Sequence, residues 1–283
     1  MIKKSKRYMA SVIISVAIAH FTQSVQAFAA TDISADTLNQ ILDLYRTDLT
    51  DKNIKITPEL DIQNNEMDIR MLSGSDGYHL LYTRGFLKNV EYNPVLLTVF
   101  FCHELGHAFA KLSEDSGAIA PEGAADYFAG ADCLKRVALK KMELLSNTDR
   151  HSSHGIVCDN KTSNSLLTTS QCEAILNALM SFVNFNAKHW DRDALIGDKK
   201  LQKPKLNHFD DTTVEQTLYS YPSLQCRLDS LVSGLACENS KFEKTGNSWL
   251  WKACEDNQSS SSLSEQQSIL KGNLPHCWHS KRP

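Results

Sequence analysis

Residues 34–50, SADTLNQILDLYRTDLT, place Leu38, Ile41, Leu42, Tyr45 and Leu49 at helical spacing, which predicts an amphipathic helix. The period then changes. MDIRML (67–72) and YHLLYT (78–83) flank the turn SGSDG and predict two short strands joined as a hairpin. Asn93-Pro94 opens a second helical stretch, VLLTVFFCHELGHAFAKL, because proline suits a helix's first turn. Pro121 opens a third, EGAADYFAGADCLKRVALKKMELL; QCEAILNALMSFVNFNAKHW and CRLDSLVSGLAC predict two more. Residues 146–170 are rich in Ser, Asn, Thr and Asp and read as a loop. Residues 197–223, with Pro204 and Pro222, read as irregular, and the Ser- and Gln-rich stretch from Asp256 reads as a mobile tail that Cys277 can tether. There is no internal repeat. The expected class is α+β, mostly helical, with a small early sheet.

The first residues carry a different signal. Lys3, Lys4, Lys6 and Arg7 precede the apolar run Met9–Ala19, and Ala27 and Ala29 follow in an A-x-A arrangement. That is the pattern of a secretory signal over residues 1–29. Eleven apolar residues are too few to span a membrane, which takes roughly 20. The expected organisation is a signal peptide (1–29), one main domain (30–255) and a tail (256–283), with an exported product, periplasmic or secreted. Removing residues 1–29 leaves 26 basic against 33 acidic residues, a net charge near −7. Such a balance works against nucleic-acid binding, which needs clustered Lys and Arg.

All eight cysteines lie beyond residue 29. An even number in an exported chain predicts disulfides rather than a thiolate metal site, and no C-x-x-C pair is present. Short separations suggest Cys226–Cys237 and Cys158–Cys172. Cys102 is also a candidate to cross-link its helix to Cys133 on the next one.

Candidate chemistry centres on His103-Glu104-Leu105-Gly106-His107. At about 100° per residue the two imidazoles share one helix face and can converge on one ion. Neutral imidazole suits zinc, and Glu104 stands where it can take a proton from water activated there. A His-Glu-x-x-His string arises by chance in roughly one chain of this size in a hundred. A third ligand therefore decides its meaning. Glu122 and Asp126 begin the next predicted helix four residues apart. Glu122 can supply an oxygen ligand, and Asp126 can accept the remaining ring N–H of a ligand histidine. Carboxylates also favour helix N-termini for their own sake. Here the surrounding Ala, Tyr127 and Phe128 mark a buried helix, and buried charges are paired or bind metal. His151 and His154 in HSSHG and His208 read as solvated or structural.

HELGH followed by E-x-x-x-D resembles the gluzincin metallopeptidases. Within them it is similar to the family of the CAAX prenyl endopeptidases, HtpX and soluble periplasmic quality-control proteases. LYTRGFL (81–87) resembles that family's strand and turn before its zinc helix. YPSLQCRL resembles its His-Pro-(four residues)-Arg element, here Pro222 and Arg227, with Tyr221 where the family often has histidine. The resemblance covers about half of the mature chain. It implies a zincin-like domain, one zinc ion held by His103, His107 and Glu122, and Asp126 supporting from behind. Tyr221 or Arg227 would stabilise the oxyanion; packing for Tyr221 and an ion pair for Arg227 are the alternative roles. The function expected is a zinc endopeptidase with Glu104 as general base, acting on protein or peptide substrates. The rivals are a periplasmic binding or assembly factor with a closed zinc site, and a disulfide-stapled module whose Glu122 lies away from the histidines.

Overall fold

The computed structural model describes residues 33–111, 119–146, 157–158, 166–189, 203–206, 208–245, 248–254 and 264–280. The expected signal segment 1–29 and the loop histidines His151 and His154 lie outside these residues.

The chain starts with α1 (33–44) and α2 (Arg46–Asp51), broken at Tyr45. Leu38, Ile41 and Tyr45 are all buried, as their spacing predicts. Strands β2 (Ile69–Gly74) and β3 (Gly77–Thr83) form the expected antiparallel hairpin, with Met71 opposite Leu80. A strand not expected, β1 (Ile56–Asp61), lies parallel on the other side of β3, so the order is β1-β3-β2. Ile69, Met71, Leu80 and Tyr82 are the buried face of this sheet.

Thr83 ends β3 and caps α3 (Arg84–Asn89) by accepting from the Phe86 N–H. Asn93 caps α4 (Pro94–Phe109), accepting from Val95 N and Leu96 N, with Pro94 in the first turn. Apart from Leu96, every residue of α4 from Val95 on is buried. A helix apolar on all sides must lie inside the protein, so its His103, Glu104 and His107 go inside with it.

Helix α5 (Glu122–Phe128) continues through one π-helical turn (Ala129–Cys133) into α6 (Leu134–Lys140), and a 3₁₀ turn follows at Met142–Leu145. Helix α7 (Thr169–His189) packs on α4, with Phe182 and Phe185 edge-on to Phe100 at 4.8 and 5.5 Å. Helix α8 (Leu224–Ala236) is capped by Ser223, and no regular element occurs in 208–223. A second hairpin, β4 (Lys241–Thr245) with β5 (Ser248–Lys252), sets Phe242 and Trp251 against Phe109, Phe128 and Tyr127. The last helix is α9 (Glu265–Leu270).

Four disulfides connect these elements. Cys102–Cys133 and Cys158–Cys172 match expectation. Cys226–Cys237 does not form; the pairs are Cys226–Cys277 and Cys237–Cys254. The reason is helical rise. Eleven residues of α8 separate Cys226 and Cys237 by about 16 Å, beyond the roughly 7 Å limit between bridged Cα atoms.

The reading of 256–283 as a mobile tail is corrected over 264–280. Ile269 and Trp278 are wholly buried, and Cys277 is cross-linked to α8. Serine-rich composition marks only part of this segment; the Trp and Cys after it supply the burial and the tether. Among the described residues no helix is long and apolar enough to cross a membrane.

Candidate metal centre

Helix α4 brings His103 and His107 to one face, with ring centroids 4.8 Å apart and planes at 85°. Helix α5 crosses it closely. A Cβ on Gly106 would stand 2.6 Å from the backbone Cα and O of Ala125, so only glycine permits this approach. Glu122, in the first turn of α5, is thereby set against both rings. Its Oε2 is 3.2 Å from His103 Nε2 and its Oε1 3.6 Å from His107 Nε2. One ligand atom from each residue lies within 4.8 Å of the other two. The reading with Glu122 remote from the histidines does not survive this geometry.

The other ring nitrogens are already engaged. His103 Nδ1 is 2.8 Å from Asp126 Oδ1, one turn beyond Glu122 on α5. His107 Nδ1 donates to the Ala120 carbonyl at 2.7 Å, and Ala120 N returns a bond to His107 O at 2.9 Å. Holding Nδ1 in this way fixes the tautomer and directs Nε2 at the shared space. Asp126 is expected from the sequence; the Ala120 carbonyl is not, because a backbone acceptor leaves no mark in residue identity.

Arg227 reaches in from α8. Its Nε and Nη2 donate to Asp126 Oδ2 and Oδ1 at 2.7 and 2.8 Å, and Nη2 is 3.9 Å from Glu122 Oε2. Phe182 of α7 lies beneath the guanidinium at 5.2 Å and 6.1 Å from the His103 ring. Tyr221 is half-exposed, with its ring 5.7 Å from Arg227. His208 is exposed on the surface.

Charge state follows from this packing. Burial opposes a charged His103, yet the Asp126 and Glu122 carboxylates outweigh it and hold the imidazole up at about 10. Burial also opposes an ionised Asp126, but Arg227 and His103 bring it down to about 2. Glu122 is held below the usual carboxylate range by the two histidines and Arg227, against its own burial. Glu104 moves the other way. Burial raises it, aided by Glu122 and only partly countered by His107 and His103. The Met71 N–H of β2 faces its carboxylate. Partial desolvation of its ring and the Glu122 carboxylate both raise Tyr221, which keeps its proton.

The donor set fits a metal ion. Two imidazole nitrogens and a carboxylate oxygen suit zinc, whose tetrahedral ligands stand about 3.3 Å from one another at ordinary bond lengths. The Glu122–histidine separations straddle that value. Glu104 Oε2 is buried with no hydrogen-bond partner. Orphaned buried carboxylate oxygens are costly and call for a cation. His103, His107 and Glu122 thus form a group that can hold a metal ion. No protein-family model, no curated protein and no solved structure matches this chain.

Proposed function

We propose that the protein is a zinc-dependent endopeptidase of zincin-like build, exported to the cell envelope or beyond and acting on protein or peptide substrates. One observation carries the reading. A buried carboxyl outside the ligand set, Glu104, sits directly beside the cluster of His103, His107 and Glu122. The expectation of export draws support from four disulfides.

When bound, zinc supplies a positive charge that acidifies a water molecule and polarises a substrate carbonyl. Glu104 takes the proton of the attacking water and passes it to the departing amine. Its place next to His103 on α4, buried at the cluster, puts its carboxylate where that shuttle needs it. Tyr221, protonated and at the rim, donates to the carbonyl oxygen as charge develops there. Arg227 is placed differently. It is 2% exposed and its guanidinium is committed to Asp126, so it positions His103 rather than meeting substrate.

β2 is an edge strand, and its Met71 main chain faces Glu104. An extended peptide laid along that edge would bring its backbone to the base. The alternative, a binding or assembly factor with a closed structural ion, is favoured by the low exposure of His103, Glu104 and His107, at 4%, 4% and 6%. Glu104→Gln separates the two. The variant is expected to keep its zinc and lose at least about 100-fold in chelator-sensitive casein cleavage. Cleavage at the wild-type rate by the variant would contradict the mechanism.

A further inference from the structure

Three consecutive residues near the C-terminus join three parts of the metal centre. His276 O accepts from Val214 N at 3.1 Å, and Trp278 O accepts from Leu218 N at 2.9 Å. These two bonds hold the segment that runs on to Tyr221. Between them, Cys277 is bonded to Cys226, the residue before Arg227. The Trp278 side chain then meets Gly123, the residue after Glu122. A Cβ on Gly123 would fall 2.2 Å from indole Cδ2, so the ring lies directly on the α5 backbone where the ligand helix begins. Trp278 is wholly buried there.

This arrangement has a mechanical consequence. Glu122 is in the first turn of α5, and its Pro121 N-cap contributes no side-chain hydrogen bond. First turns fray most readily, since their N–H groups lack intrahelical partners. The indole adds a lateral contact at Gly123 to those that this turn makes with α4. It does so from a segment tied to both the Arg227 helix and the Tyr221 loop.

We propose that Trp278 is a positioning residue of the metal centre: through Gly123 it sets Glu122 at ligand distance from His103 and His107. The C-terminal segment is then the part that completes the site. The metal ligands assemble when residues 276–278 are in place and Cys277 has joined Cys226. This rests on the reading that His103, His107 and Glu122 bind one zinc ion.

The test measures zinc affinity by competition with a chelating indicator in full-length wild type, Trp278→Phe and Trp278→Ala. The Tm of each metal-free protein is recorded beside it. Trp278→Ala is expected to bind zinc about 10- to 100-fold more weakly, the loss typical when support behind a ligand is removed. Trp278→Phe, with a smaller ring over Gly123, is expected to bind about 3- to 10-fold more weakly. A ring that serves packing alone would lower Tm and leave the affinity of the folded protein unchanged, which overturns the proposal. Where Trp278→Ala does not fold, Trp278→Phe decides alone, and affinity within about twofold of wild type overturns it. Wild type that takes up no zinc would overturn the reading beneath it as well, so the two failures are distinct.

Discussion

The Arg227 guanidinium meets the Asp126 carboxylate at two points, Nε–Oδ2 at 2.7 Å and Nη2–Oδ1 at 2.8 Å. Asp126 in turn holds His103 Nδ1 at 2.8 Å. A histidine of the candidate metal centre is therefore oriented by a carboxylate that is itself neutralised and fixed from a third helix. Because both charges are buried, removing Arg227 takes the main counter-charge from Asp126 and leaves it His103 alone.

Arg227→Leu is accordingly expected to destabilise the protein by about 3–5 kcal/mol. Asp126→Asn is expected to weaken zinc binding about 10- to 100-fold, because a neutral amide supports the His103 ring less well. Denaturant titration and chelator competition measure the two effects. Arg227→Leu with wild-type stability would show the pair to be dispensable.

Gly106→Ala tests the close crossing of α4 and α5. The added methyl would meet Ala125 backbone atoms at 2.6 Å, which no side-chain rotation relieves. A loss of about 1–3 kcal/mol is expected, together with weaker zinc binding, since the helices must part between the histidines and Glu122. Calorimetry of the metal-free protein and a zinc titration read these separately.

A pH effect is expected away from the metal. Asp229 is 2% exposed, accepts from Asp210 N at 2.7 Å and Gln225 Nε2 at 2.9 Å, and has its carboxyl pushed up to about 7. Burial is the main cause, with the Asp210 and Glu265 carboxylates adding to it. Unfolded, the same group titrates near 3.9. The fold thus favours the protonated form. Its stabilisation is complete below about pH 4 and is lost as pH rises towards 7, at about 1.4 kcal/mol per pH unit. Between pH 5 and 8 the wild type should lose stability relative to Asp229→Asn, in which this position does not titrate. Equal pH profiles for the two proteins would refute the assignment.

Much of the site is legible in the sequence because it is local. His103, Glu104 and His107 occupy one helix, and Glu122 and Asp126 lie one turn apart on the next, so helical geometry alone gives their directions. The β2–β3 hairpin is legible for the same reason, two strands meeting across a short turn. What the sequence conceals is mostly non-local. β1 contains Pro58 and Glu59 and pairs parallel with β3, a pairing that no adjacent turn announces. Cys226 finds Cys277 at a sequence separation of 51, while the nearer Cys237 is carried away by helical rise. The β4–β5 hairpin is an exception: KFEKT and SWLWK on either side of the dipeptide Gly-Asn are a local hairpin signal. Serine-rich composition hides the C-terminal segment, whose Trp278 gains its place only when α5 is beside it.

Metal content puts the central claim to its most direct test. Purified wild type and Glu122→Ala are loaded with zinc, freed of excess, and their metal is counted per chain. The account predicts about one zinc per wild-type chain and a large loss in Glu122→Ala at matched protein folding. Zinc retained in full by Glu122→Ala, or absent from folded wild type, would contradict it.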